Sequence, residues 1–258
     1  MKVKDIINII EEFAPLNLQE KWDNSGLCIG SPEDEVSSVL IGLDCTSELV
    51  DEAIACGADM IVTHHPLIFS GLKKISPEDM VGAAVIKAIK AGISIYAAHT
   101  SADKVIAGVS GAMAAKLGLE NVTILDEDGE GTGLGVVGDL PQPMTSQEAV
   151  DLVKERFKLK AMRCSKPIEG MISRVAMCGG SGGSLIAAAK DSGAQLYLSG
   201  DISYHNFFTS EGFMIMDIGH YESEIEIVEI LFSLIKKKIP TFAVRITQNI
   251  YSNPIFYF

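Results

Sequence analysis

The sequence lacks several features that would fix its class at once. No apolar run approaches the ~20 residues of a membrane-spanning helix, although a mean hydropathy of +0.25 sits on the apolar side. The five cysteines (Cys28, Cys45, Cys56, Cys164 and Cys178) are odd in number and widely spaced, with no CxxC pair. They read as small buried thiols in a reducing compartment rather than as a disulfide framework. Basic residues are scarce, 21 Lys and Arg against 34 Asp and Glu, giving a net charge of −13. That balance opposes non-specific nucleic-acid binding, which needs a basic face to displace counterions. It suits a cytoplasmic protein that binds cations or brings its own metal to a phosphorylated substrate. The N-terminal MKVKDIINIIEEFAPL carries Asp5, Glu11 and Glu12 and has no small-residue cleavage site. Ile6, Ile9, Ile10 and Phe13 fall at helical spacing, which predicts an amphipathic first helix rather than a signal peptide.

What is present is an alternation of short apolar runs and helical segments. VSSVLIGLDCT (Val36–Thr46) reads as a strand, SELVDEAIACG (Ser47–Gly57) as a helix stopped by glycine, and DMIVT (Asp59–Thr63) as the next strand. This order predicts an α/β class with βαβ crossovers. The unit recurs. LVDEAIACGADMIVTHH (Leu49–His65) aligns without gaps to LIAAAKDSGAQLYLSGD (Leu185–Asp201), matching Gly57 with Gly193, and AIKAGISIYAAHT repeats the frame with His99 where His64 falls. Two similar α/β halves are expected, and the acidic, glycine-rich LDEDGEGTG (Leu125–Gly133) is the candidate boundary. Residues 1–124 with 225–258 would form a first domain carrying most of the candidate site, and 125–224 a second, inserted one.

Two glycine-rich stretches invite a nucleotide reading. GLGVVG satisfies GxGxxG through Gly133, Gly135 and Gly138, but an acidic loop precedes it and LPQP follows, whereas a dinucleotide fingerprint closes a strand and opens a helix. It reads as a decoy. CGGSGGS (Cys178–Ser184) stands between a strand-like and a helix-like segment and has no Walker lysine. It is either an anion cradle or a close-approach turn.

All five histidines follow apolar strand-like runs: His64 and His65 after DMIVT, His99 after SIYAA, His205 after LYLSGDISY, His220 after FMIMDIG. In open α/β sheets, functional groups gather beyond the carboxyl ends of strands. Carboxylates lie four residues from three of them, Asp103 after His99, Glu224 after His220 and Asp201 before His205. On a helical turn that spacing puts both side chains on one face, as an N/O chelate requires. Such donors suit Zn, Fe, Mn or Co. Pro66 breaks strand alternation after the adjacent pair, so His64 and His65 read as ligands split between two ions with a carboxylate shared between them. For His99 and His205, metal binding competes with orienting or proton-transfer duty.

THHPLIF, HTSAD and GHYESE, with WDNSGL (Trp22–Leu27) and LIGLDCT upstream and SNP near the C-terminus, resemble the NIF-three-like dinuclear metal-centre family, whose members are commonly called GTP cyclohydrolase 1 type 2 homologues. The resemblance spans essentially the whole chain. It implies two related α/β domains with mixed sheets flanked by helices, assembled into a homo-hexameric ring, with two divalent ions per chain. The implied ligands are His64, His65, Asp103, His220 and Glu224, the last bridging the ions; His99 and His205 would line the site. Two departures stand out: Ser101 and Ala102 replace the Asn and Leu of the usual HTNLD, and Val136 stands where the family often has arginine.

The expected activity is hydrolysis by a metal-activated water, either at C8 of guanine to open its imidazole ring or on a related phosphorylated small molecule. The alternative is a non-catalytic metal-delivery or regulatory protein with the same ligands. Lys236, Lys237 and Lys238 close the last long helical run and read as a helix-dipole complement.

Overall fold

The computed structural model describes residues 1–248 and 253–257. In chain order it begins with α1 (Val3–Phe13), β1 (Gly26–Ile29), β2 (Ser38–Gly42), α2 (Ser47–Cys56), β3 (Met60–Thr63), α3 (Met80–Ala91) and β4 (Ser94–Ala97). There follow α4 (Thr100–Asp103), α5 (Val109–Leu117), β5 (Glu120–Gly129), β6 (Thr132–Met144), α6 (Ser146–Phe157), β7 (Arg163–Cys164) and β8 (Ile172–Ser181). The last elements are α7 (Ile186–Asp191), β9 (Leu196–Gly200), β10 (Met214–Asp217), α8 (His220–Glu224), α9 (Glu226–Lys238) and β11 (Ala243–Ile246). No helix among the described residues is long and apolar enough to cross a membrane.

The chain forms two compact units, Met1–Ala102 with Ile227–Ser252, and Asp103–Glu226 with Asn253–Phe258. The first holds a sheet of order β1-β4-β3-β2-β11, in which β11, β2, β3 and β4 run parallel and β1 closes the edge antiparallel to β4. β2, β3 and β4 are buried at every position, which explains their unbroken apolar runs. Thr46 caps α2 by accepting from the Leu49 amide, and Gly57, at φ 69°, ends it in the left-handed conformation. Leu49, Val50 and Ala53 of α2 and Ala84, Val85 and Ala88 of α3 pack against Leu40, Ile61 and Ile95 of the sheet. α1 buries Val3, Ile6 and Ile10, with Ile9 and Phe13 half-buried, so the predicted helical stripe is real. At the end of α9, Lys236 Nζ donates to the carbonyls of Pro240 and Phe242 at 2.7 and 3.1 Å, the structural role expected of the lysine run.

The second unit has a sheet of order β5-β6-β8-β9-β10-β7. β8, β9 and β10 are parallel, while β5, β6 and β7 add antiparallel pairings. Strand alternation separates two cores. Val175, Met177, Leu196 and Leu198 face one with Met113, Val153 and Phe157, whereas Ala176, Cys178 and Tyr197 face the other with Leu185 and Ala189. Val136 packs in the first of these cores. Both units are therefore mixed sheets flanked by helices. The gapless internal alignment matches structure to structure: α2–Gly57–β3 corresponds to α7–Gly193–β9, with Gly193 also left-handed at φ 80°.

The expected boundary at Leu125–Gly133 needs correction. That stretch is the turn of the β5–β6 hairpin, paired from Glu120↔Asp139 to Gly129↔Thr132, inside the second sheet. The division falls at residues 102 and 103 instead, because Met113, Ala114 and Leu117 of α5 share a core with β6 and β8. Asn253 also belongs with the second unit, its Nδ2 donating to Glu222 Oε1 at 2.8 Å; Ser252 of the Ser-Asn-Pro motif lies outside the described residues. Gly133, Gly135 and Gly138 all sit within β6, which runs on to Met144 instead of giving way to a helix at the last glycine, as the decoy reading required.

Candidate metal centre

In the first unit the answer to the His-His-Pro sequence lies in a tight turn. Past the end of β3, Thr63 Oγ1 donates to the His65 carbonyl at 2.8 Å, and the His65 amide donates to Leu43 O at 3.0 Å. The adjacent rings then lie with centroids 4.9 Å apart, and His99, beyond β4, comes to 5.3 and 5.5 Å from them. His64, His65 and His99 offer ring nitrogens all within 4.8 Å of one another.

Each ring is held from behind. His64 Nδ1 lies 3.0 Å from Ala98 O, and a carbonyl only accepts, so Nδ1 carries the proton and Nε2 presents its lone pair. His65 Nδ1 lies 2.7 Å from Asp44 Oδ1, and His99 Nδ1 2.7 Å from Asp23 Oδ1. The Asp23 side chain is closed off from solvent, although the residue as a whole is half-buried. Burial pushes its carboxyl up, but hydrogen bonds from His99, Ser25 and Thr100 outweigh that and hold it well below the usual carboxylate range. It is therefore a fixed anion behind the His99 ring.

The second unit repeats the device. His220 opens α8 after Gly219, and its Nδ1 lies 2.7 Å from Asp201 Oδ2. Its Nε2 stands 3.0 Å from Glu224 Oε2, one helical turn on, so the expected His220–Glu224 pairing is formed. With Nδ1 facing Asp201 and Nε2 facing Glu224, the ring joins two carboxylates, and the Nε2–carboxylate pair is one that a proton or a shared cation would bridge. A nitrogen and a carboxylate oxygen this close would hold one ion between them after a small adjustment of either side chain. Glu224 is only 3% exposed. Asp103, at the end of α4, is half-buried.

CGGSGGS is a place of close approach: Cys178–Ser181 ends β8 and Gly182–Ser184 leads into a short helical turn. The amides of Gly179, Gly180 and Gly182 donate to the hydroxyls of Ser110, Ser223 and Ser199 at 3.2, 2.9 and 3.0 Å, so they are committed within the protein. Gly180 has a second purpose: a Cβ there would overlap Glu224 Oε1. Burial pushes the thiol of Cys178, the first residue of the stretch, up to about 12, and the neighbouring Asp103 and Glu224 charges add to this, so it is a neutral wall and not a thiolate ligand at ordinary pH.

His205 is placed differently from the others. It sits exposed on a short turn, Tyr204–Phe207, with ring contacts to Tyr204 and Phe208, and joins no donor group among the described residues. Asp201, four residues before it, pairs with His220 instead. Ser101, at the departure from the usual motif, is buried, and its Oγ has no hydrogen-bond partner among the described residues.

Sequence reasoning missed the bracing role of Asp23, Asp44 and Asp201. Two of them had a visible signal, since Asp44 and Asp201 each stand just past the end of a parallel strand next to the one that carries the histidine. Removing such a brace typically lowers metal affinity 10–100-fold. Asp44→Asn should do so, read as the metal concentration at half-saturation, while the unfolding midpoint of metal-free protein stays within a few degrees of the parent because the carboxylate is half exposed. An unchanged affinity would mean that Asp44 does not orient a ligand.

The model of the DUF34/NIF3 family (NGG1p interacting factor 3) matches residues 1–254. A GTP cyclohydrolase 1 type 2 homolog of Clostridium perfringens is 37% identical over 244 residues, 93% of each chain. The protein NIF3 homolog of Schizosaccharomyces pombe is 31% identical over 231 residues, 84% of this chain and 82% of its own. A crystal structure of a Staphylococcus aureus hypothetical protein matches with a TM-score of 0.92 and 27% identity, covering 100% of this chain and 99% of that one. With the family model running from Met1 through Pro254, and relatives above 30% identity over most of their own length, this chain belongs to the DUF34/NIF3 family.

Proposed function

We propose that the protein is a metal-dependent hydrolase holding two divalent ions, with His64, His65, Asp103, His220 and Glu224 as ligands and Glu224 shared. The observation that carries this reading is the set of braced histidines: four rings have Nδ1 committed to an oxygen, three of them to carboxylates. That arrangement fixes the tautomer and turns Nε2 outward, as metal-ligating histidines require. Nitrogen and carboxylate donors suit Zn, Fe, Mn or Co. The ions, when bound, supply acidification of water and polarisation of a substrate oxygen.

The chain's own residues then have distinct duties. Ala98 O, Asp44 and Asp201 hold the rings of His64, His65 and His220. We assign proton movement to His99 ahead of His205, because the His99 ring stands in the histidine cluster with Nδ1 held by Asp23, whereas His205 is exposed and joins no donor group among the described residues. The names of the curated relatives support a GTP cyclohydrolase 1 type 2-like reaction, hydrolysis at C8 of guanine with opening of the imidazole ring, or action on a related phosphorylated small molecule. A homo-hexamer in the cytoplasm is part of the same reading. Metal delivery or regulation without turnover is the alternative.

Elemental analysis of the purified protein should find about two equivalents of divalent metal per chain, and the loaded protein should turn over GTP or a simple phosphate ester. Metal that passes freely to a chelator, with no turnover of either, would select the delivery reading. No metal after reconstitution with Zn, Fe, Mn and Co would end both.

A further inference from the structure

We propose that Trp22 and Phe69 bind a planar heteroaromatic ring, of the nucleobase class, beside His99. This rests on the hydrolase reading, since it names the class of molecule that the same site takes. Trp22 is 60% exposed and Phe69 52%, an expensive way to place two large aromatic side chains unless something covers them. Their ring centroids lie 6.0 Å apart with planes inclined at 56°, and each meets His99 edge-on, at 6.2 and 6.1 Å. The two rings therefore form a tilted pair directly against one of the three clustered histidines.

Both loops are held in place despite their exposure. The residue after Trp22 is Asp23, which accepts from Ser25 Oγ at 2.6 Å and from Thr100 Oγ1 and the Thr100 amide at 2.5 and 3.1 Å, besides its bond to His99. Asn24 Nδ2 donates to Ile68 O at 2.5 Å, tying the Trp22 loop to the residue before Phe69. A pre-ordered aromatic pair has already lost much of the freedom that binding would otherwise remove. The inclination of the two rings suits one flat ring: face against one aromatic, edge toward the other. Stacking tolerates any flat heterocycle, so the ring class is fixed by shape and its identity by whatever else the site touches.

Trp22 is the only tryptophan in the chain, so its fluorescence reports this place alone. The test titrates the full-length, metal-loaded protein with guanosine, GTP, adenosine and ribose 5-phosphate while following that emission. Guanosine, GTP and adenosine should quench it saturably, and ribose 5-phosphate should not. Phe69→Ala should raise Kd for guanosine about tenfold or more, Phe69→Tyr should retain it, and both variants should keep the parent's metal content. Absence of saturable quenching by any of the three ring compounds, or a Kd unmoved in Phe69→Ala, would overturn the proposal. Turnover of GTP without quenching removes the aromatic pair and leaves the hydrolase; quenching without turnover keeps the pair and removes the hydrolase.

Discussion

Glu224→Ala is expected to abolish the thermal stabilisation that metal confers while shifting the metal-free unfolding midpoint only slightly. The carboxylate is almost completely buried, and its Oε2 faces a ring nitrogen whose partner nitrogen is engaged by Asp201. Burying a carboxylate carries a desolvation cost even when it is paired, so in metal-free protein its removal takes away that cost along with the contact to His220. A bound ion reverses the balance. At a metal concentration 1,000 times Kd, linkage contributes about 4 kcal/mol, or roughly 8–16 °C in Tm for a chain of this size. Melting curves with and without Zn or Mn should show that rise in the parent and almost none in Glu224→Ala. A variant that melts far below the parent without metal, yet still responds fully to it, would make Glu224 a structural anchor rather than a ligand.

Gly180→Ala should destabilise the second unit and disturb the seating of Glu224 together. The position is left-handed at φ 63°, which costs a side chain about 1–2 kcal/mol. The added methyl would also overlap Glu224 Oε1 and stand 3.4 Å from His220 Cε1. Overpacking adds about 1–3 kcal/mol, so the total of roughly 2–5 kcal/mol should lower Tm by about 4–20 °C. Gly193→Ala separates the two contributions. It has φ 80° with nothing within 4 Å of the new atom, and should show only the backbone penalty. Gly180→Ala should also weaken metal binding, whereas Gly193→Ala should not. Equal losses in the two variants would mean that the carboxylate moves aside at no cost, and the tight seating of Glu224 would have no functional weight.

Much of this was legible in the sequence, for identifiable reasons. β2, β3 and β4 are buried on both faces, so they appear as unbroken apolar runs, and the helix-stopping Gly57 and Gly193 mark a repeated unit. The candidate ligands were visible because strand ends, helical i, i+4 spacing and family motifs converge on the same residues. The β5–β6 turn was not legible as a turn. An acidic run with glycines is what a hairpin tip and an interdomain linker both need, and only pairing across the sheet tells them apart. The Asp23–His99 contact joins residues 76 positions apart, a separation to which no periodicity is sensitive. Nor could composition show that serine hydroxyls from three different segments consume the amides of CGGSGGS.

The braced histidine appears in both units, yet one strand out of step. Asp44 follows β2 and holds the ring that follows β3; Asp201 follows β9 and holds the ring that follows β10. The internal repeat equates β3 with β9, so it sets His65 opposite Asp201. If the halves share an ancestor, what they inherited was the frame and not the chemistry, and a search for matching histidines between them returns nothing. Neighbouring parallel strands lie about 4.8 Å apart, so residues just past their carboxyl ends are always within a side chain's reach. Any such pair of strands is one aspartate and one histidine away from a half-built ligand, an economy that lets this kind of centre arise repeatedly on ordinary α/β scaffolds.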